Sequence, residues 1–386
     1  MDAILSTTLR DLRAEVETLA VEHIAPYAEQ VDKEAAWPRH AFDALAKAGL
    51  MGLNVPTRLG GRGLGLLGLA VASEALARAC SSSAMCFAMH CVGTAVIAAK
   101  ATADQEARYL RPIAAGRHVT TLSLSETGTG VHFYIPQTRL TRMGERYIVN
   151  GEKQFITNGG HADSYVVSTV ASTPAEAGDF SCLVVDSDAQ GLEWLAPWQG
   201  FGMRGNSSRG LKLKDASVPA MNLLGEEGDQ VWYVFEVVTP YFLIAMAASY
   251  LGAAQAAFDL ASAQVRNRRY THSGEAVADV SLVQHQLADL WIDLEKTRGL
   301  VYHAAYLGDS GDPRALLSLL ASKADVAEVA TRVVNDAMTL AGGQGYRENA
   351  ALARLLRDVR AAHVMSPTTP ILKQWLGRAL LGMPLL

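Results

Sequence analysis

The sequence predicts an α+β chain that is mainly α. It should have an N-terminal helical domain, a small central β-barrel or sandwich domain and a C-terminal four-helix bundle. Three observations predict this order. Residues 1–118 are rich in Ala and Leu at helical spacing. From about 119 to 222, short runs of Val, Ile, Thr and Tyr alternate with turn signals. From about 226 the helical period returns and holds to the end. The expected domains are therefore 1–118, 119–222 and 223–386.

In the first region, Leu9, Leu12, Val16 and Leu19 recur every three or four residues, which predicts a helix. "PRHAFDALAKAGLMG" predicts a second helix with a glycine stop. "SEALARACSSSAMCFAMHCVGTAVIAAK" holds two more. In the second region, "HVTTLSLSE", "RYIVNGEKQFITNG", "DSYVVSTVA", "FSCLVVD" and "RGLKLKDASVP" read as strands. Asn150-Gly151 predicts a hairpin turn inside the second of these. In the third, Leu287, Leu290, Leu294 and Val301 share one helix side, as do Val326, Val329, Val333 and Ala337 on another. Long helices in succession suggest a bundle.

The chain has 386 residues, of which 49% are apolar, enough for a sizeable core. Net charge is −5 and no run of Lys or Arg occurs, which argues against a nucleic-acid partner. Four cysteines, Cys80, Cys86, Cys91 and Cys182, do not make a disulfide framework in a chain this long. They read as buried thiols in a reducing cytoplasm. The ten histidines are scattered with no i, i+4 pair and third ligand, so no metal is expected. The N-terminus is acidic and helical in period, unlike a signal peptide. Val237 to Phe258 carries no charge and is long enough to cross a membrane. Pro240, Gln255 and its many small residues favour a helix packed on all sides instead.

Three motifs invite chemical readings. Gly63 to Gly68, "GLGLLG", matches the dinucleotide pattern G-x-G-x-x-G. That pattern needs a strand before it and a helix after it. Helical sequence precedes it here, so a turn between helices is the better reading. His161 and Asp163 in "HADS" have no nucleophile beside them and read as a surface loop. "AGGQGYRE" places Gly342, Gly343 and Gly345 at a helix end, where backbone amides can approach a ligand closely.

Four stretches, in order, resemble the acyl-CoA dehydrogenase family. They are "LSLSETGTGVH", "VNGEKQFITNGGHADSYVVSTV", "GFGMRGNSSRGLKLKDASVPAMNLLGE" and "LAGGQGYRENAALARLLRDVR". The resemblance covers nearly the whole chain. It implies a homo-oligomer, a dimer or tetramer, that binds FAD between the β domain and the C-terminal bundle. It implies an acyl thioester substrate on CoA or acyl carrier protein, and an electron-transfer partner. Leu122, Leu124, Ser125 and Gly130 match the loop along the isoalloxazine edge. Phe155 and Thr157 match the residues that flank the ring. Thr339, Gly342 and Gly343 match positions that hold a neighbouring subunit's FAD, and Arg269 falls in a blurred form of the flavin-contacting Arg-x-x-Phe-Gly pattern, with no Phe. Thr368 matches the threonine that approaches the flavin after the catalytic carboxylate.

The departures lie at the substrate. In the family the segment after "RDVR" carries the catalytic carboxylate within a pattern like Tyr-Glu-Gly-Thr. Here it reads Met365-Ser366-Pro367-Thr368, with Ser366 at the usual Glu position. The alternative carboxylate position falls on Phe242. Val131 replaces the loop Ser that touches the acyl-CoA, His132 replaces the Asp after it, and Leu243 replaces a basic residue. A serine hydroxyl is not a useful base at neutral pH unless activated. Three readings follow: a dehydrogenase whose base comes from elsewhere, with His363 as a candidate; a flavin-dependent monooxygenase on the same fold; or a non-catalytic subunit of a hetero-oligomer.

Overall fold

The computed structural model describes residues 5–172, 180–228 and 232–386. Helices α1 (Thr7–His23), α2 (Ala28–Lys33), α3 (Arg39–Lys47), α4 (Leu66–Ala79), α5 (Ser81–Ala99), α6 (Ala103–Gln105) and α7 (Arg111–Ala114) come first. Ser6 caps α1, its Oγ accepting from the Leu9 amide. Leu9, Leu12, Val16 and Leu19 are buried on one side of α1, as their spacing requires.

"GLGLLG" is a turn entering α4, whose free amides are already used. The Asp309 carboxylate accepts from the amides of Leu66, at 2.6 Å, and Leu67, at 2.9 Å. No phosphate is needed to satisfy this helix start.

Eight strands follow: β1 (Thr120–Ser123), β2 (Arg139–Met143), β3 (Arg146–Ile156), β4 (Ser164–Val170), β5 (Phe180–Asp186), β6 (Leu192–Trp194), β7 (Arg209–Pro219) and β8 (Leu223–Leu224). They form one sheet in the order β6-β7-β3-β2-β4-β5-β8, with β1 parallel to β4. Tyr165, Val167, Leu183 and Val185 join a core inside the β domain. Their alternate neighbours Val166, Cys182 and Val184 join the helical core. The period of two thus buries β4 and β5 on both faces.

The expected hairpin at Asn150-Gly151 is not there: β3 runs unbroken through it. The true hairpin loop is Gly144-Glu145, with Gly144 at φ +61°. At Asn150 the partner strand β7 bulges, with Asp215 at φ +48°. Asn150 and Asp215 exchange hydrogen bonds across it, the Asp215 amide donating to Asn150 Oδ1 at 2.8 Å. The Asn-Gly pair therefore marks a bulge, not a turn.

The chain then enters a π-helical stretch, Tyr233–Val238, and helices α8 (Thr239–Asn267), α9 (Ser281–Asp309), α10 (Ala315–Ala341), α11 (Ala351–Val359), α12 (Ala361–Val364) and α13 (Thr369–Leu380). Helix α8 is apolar on every side because α4, α5, α9 and α10 all pack on it. Two helical stretches, Ser81–Ala99 and Tyr233–Asn267, are long and apolar enough to span a bilayer, and 89% and 72% of their apolar windows are buried inside the fold. The N-terminal helices and the C-terminal bundle share one continuous core. All four cysteines are buried thiols.

Candidate active site

The segment after β1 is fixed at its base. Gln154 N donates to Ser125 O at 2.8 Å, tying the segment to β3. Glu126 accepts from Lys153 Nζ at 2.6 Å, from the Gln137 amide at 2.6 Å and from Thr138 through its amide and hydroxyl. Lys153 Nζ also donates to Ser168 Oγ and Leu124 O. Beyond this anchor, Gly128 and Gly130 stand at φ +92° and +53°. These angles let the chain turn sharply toward the helices.

The end of β3 carries a bulge between Lys153 and Ile156. It puts Phe155 at φ +55° and turns its ring outward, edge-on to Trp198 at 6.3 Å. Thr157 stays buried, its Oγ1 3.5 Å from Ser208 Oγ. The His161 and Asp163 of "HADS" are structural. His161 stacks on Trp37 at 4.7 Å and Asp163 accepts from the Val119 amide.

The stretch 198–208 is pressed against α11. The Met203 amide donates to Asp358 at 2.7 Å. Burial pushes the Asp358 carboxyl up to about 6. A side chain at Gly202 would meet Arg357 O at 2.2 Å, so only glycine allows this approach.

These pieces enclose a cavity of about 760 Å³, within the usual range for a bound cofactor or substrate. Leu122, Leu124, Ser125, Gly130, Val131, Phe155, Thr157, Phe242, Leu243, Ser366 and Thr368 all line it. Residues of the β domain, of helix α8 and of the link before α13 thus meet at one cavity. Met89, Trp198, Met203, Ser208, Val238 and Arg360 also line it and were not singled out from sequence. For Val238 a signal existed: it stands four residues before Phe242 on one helical face.

His363 is not among the lining residues. Its Nδ1 pairs with Thr369 Oγ1 at 3.2 Å, and burial, with the positive charges of Arg360 and Lys323, pulls its pKa below the usual imidazole value. As the base proposed from sequence it stands in the wrong place, facing the turn into α13. Thr339, Gly342 and Gly343 lie at the C-terminal end of α10, outside the cavity. Arg269 donates to Gly274 O, while Arg268 is the arginine beside Gly342.

The residues fit a flavin. The cavity lining includes apolar and aromatic side chains, Leu122, Leu124, Phe155, Trp198 and Met203. The hydroxyls of Ser125, Thr157, Ser208 and Thr368 stand along the same cavity, and Ser366 Oγ is buried with no hydrogen-bond partner among the described residues. An isoalloxazine needs such an apolar wall with donors along one edge. Among the described residues, no cluster of three His, Cys, Asp or Glu could hold a metal.

The three acyl-CoA dehydrogenase domains match this chain in order: the N-terminal domain over residues 6–117, the middle domain over 121–216 and the C-terminal domain over 232–381. The chain belongs to the acyl-CoA dehydrogenase family. The family's members are FAD-dependent enzymes that oxidise a CH–CH bond. The cyclohex-1-ene-1-carbonyl-CoA dehydrogenase of Geobacter metallireducens is 32% identical, over 95% of this chain and 96% of its own. Butyryl-CoA dehydrogenase from Megasphaera elsdenii superposes with a TM-score of 0.92 at 26% identity, over 99% of this chain and 100% of its own. A prolyl acyl carrier protein oxidase, AnaB, shares the fold, superposing at 0.89 with 24% identity, over 97% of this chain and 99% of its own.

The lining of the cavity carries few charged groups: Glu126, Arg357 and Arg360. Of the residues lining it, Glu126 alone carries a carboxylate, and that group is fully engaged by Lys153, Thr138 and the Gln137 amide. Met365, at the position before Ser366, receives a hydrogen bond from the buried Tyr250 hydroxyl on its sulfur at 2.8 Å.

Proposed function

We propose that this enzyme oxidises an acyl thioester with an apolar acyl group, carried on CoA or on an acyl carrier protein. The observation that carries the reading is the one cavity lined both by the hydroxyls of Ser125, Thr157, Ser208 and Thr368 and by the apolar side chains of Met89, Val131, Val238, Phe242 and Leu243. Bound FAD supplies the two-electron acceptor. The chain's own part is to hold the acyl group in an apolar slot, exclude water and present Ser366 where the family presents a carboxylate. Roles for Leu122, Leu124, Ser125, Phe155, Thr157 and Thr368 at the flavin belong to the same reading.

The reading includes a division into 1–118, 119–222 and 223–386, a cytoplasmic setting and a homo-oligomer. Support for the oligomer is the exposed placement of Thr339 and Gly343, beside Gly342, at the end of α10. There they are open to a second copy's FAD. An electron-transfer partner would then reoxidise the flavin.

The engaged state of Glu126 favours a second reading, a flavin-dependent monooxygenase, which needs no base for an α proton. An anaerobic titration of FAD-loaded protein with a panel of acyl thioesters separates the two. Bleaching of the visible flavin band supports thioester oxidation. An unbleached flavin across CoA- and carrier-linked substrates refutes it in favour of the oxygen-dependent reading.

A further inference from the structure

The last turn of α12 and residues 365–368 bring Ser366 and Thr368 to the cavity, and residues 365–368 are a short irregular link between α12 and α13. Its carbonyls lie beyond the reach of a regular helix ladder. One side chain from the neighbouring helix α10 gathers them. Lys323 is fully buried, and its Nζ donates to Ala362 O at 2.8 Å, Met365 O at 3.0 Å and Pro367 O at 2.8 Å. An ammonium has three donors, and all three are spent on this link.

The arrangement is costly, which is what makes it informative. Among the described residues no carboxylate lies within ion-pair distance of Lys323. Burial alone pushes its amine down to about 7. A buried ammonium without a counter-ion persists where hydrogen bonds replace its lost hydration. An apolar side chain would fill the same space in the bundle at less cost. The feature it could not supply is the grip on Met365 O and Pro367 O, the carbonyls on either side of Ser366.

We infer that Lys323 is a positioning residue: by holding the carbonyls of Ala362, Met365 and Pro367, it sets where Ser366 and Thr368 stand against the flavin. This rests on the reading of the cavity as the flavin site. It does not depend on which substrate is oxidised.

The test is Lys323→Met in the FAD-loaded protein, a change that keeps the chain length and removes the donors. Four quantities are read: the visible flavin spectrum, the thermal midpoint, kcat and KM. The expected result is a displaced flavin band and a drop of about tenfold to a hundredfold in kcat, the scale of a misplacement near 1 Å. KM should change far less. A folded variant with wild-type spectrum and kcat overturns the inference. Should Lys323→Met fail to fold, Lys323→Ala prepared with propylammonium decides. A flavin band that shifts when the amine is dialysed away supports positioning. A band indifferent to the amine, or a failure to fold even with the amine present, overturns it. If the protein binds no flavin even in wild-type form, the cavity reading fails first, and the two failures are thereby distinct.

Discussion

Lys153 Nζ lies 2.6 Å from Glu126 Oε1, and both side chains are almost wholly out of water. The pair joins β3 to the base of the loop that lines the cavity. Removing one partner leaves the other charge buried and unpaired, which typically costs about 3–5 kcal/mol. Lys153→Met should therefore lower the chemical-denaturation stability by about that much. It should also weaken FAD retention, because Leu124 and Ser125 hang on the same anchor. A stability loss below about 1 kcal/mol would show that the pair is not fixed as described.

Ser366→Glu tests whether the rest of the thioester site is intact. General base catalysis contributes about 10²- to 10⁴-fold. If the cavity already orients an acyl thioester, the variant should gain oxidation of a short or cyclic acyl-CoA by a factor within that range. Ser366→Ala should change the wild-type rate by less than about threefold, since a hydroxyl without an activating partner is a poor base. Steady-state assays with an artificial electron acceptor read both. No gain in Ser366→Glu, with FAD retained, would place the fault in substrate binding.

His90 predicts an acid-sensitive fold. It is fully buried, with Nε2 3.0 Å from Met51 O and Nδ1 accepting from the Thr120 amide at 3.1 Å. That pattern requires the neutral ring with its proton on Nε2. Burial pushes its pKa down to about 4. A depressed value means the unfolded chain takes up the proton first. Stability from this group is thus complete above about pH 6.5 and declines as pH falls toward 4. At pH 5 the loss should reach about 2 kcal/mol. Urea midpoints at pH 7.5 and pH 5 measure it, and His90→Gln should flatten part of that slope.

Gly252 marks where α8 crosses α4. A methyl there would come within 2.2 Å of the Glu74 carbonyl oxygen, a backbone atom that cannot rotate away. Gly252→Ala should force the helices apart at a cost of about 1–3 kcal/mol, despite Ala's better helix propensity. A thermal midpoint unchanged or raised would contradict so close a crossing.

Much of this was legible in the residues, and the reasons are physical. Helical period over long windows gave α1, α3, α4, α5, α9 and α10, because burying one face imposes spacing on the sequence. β-branched runs gave β1, β3, β4, β5 and β7. The strands β2 and β6 were missed because "RLTRM" is mostly exposed and "LEW" is only three residues long, so neither shows an apolar alternation. Asn150-Gly151 misled because the same pair serves a bulge as well as a turn. Only the pairing of β3 with β7 decides between them.

By itself the sequence determined the order of helices, β domain and bundle, and the family to which the chain belongs. All of these are local or linear properties. The tertiary structure decided which residues share the cavity, that His363 faces away from it and that Glu126 is held by Lys153. It also decided that Lys323 grips the link carrying Ser366. The physical reason is range. Periodicity and propensity act within a few residues, whereas a buried charge takes its partners from whatever the fold brings within about 3 Å. For Lys323 that partner segment lies about 40 residues further along the chain.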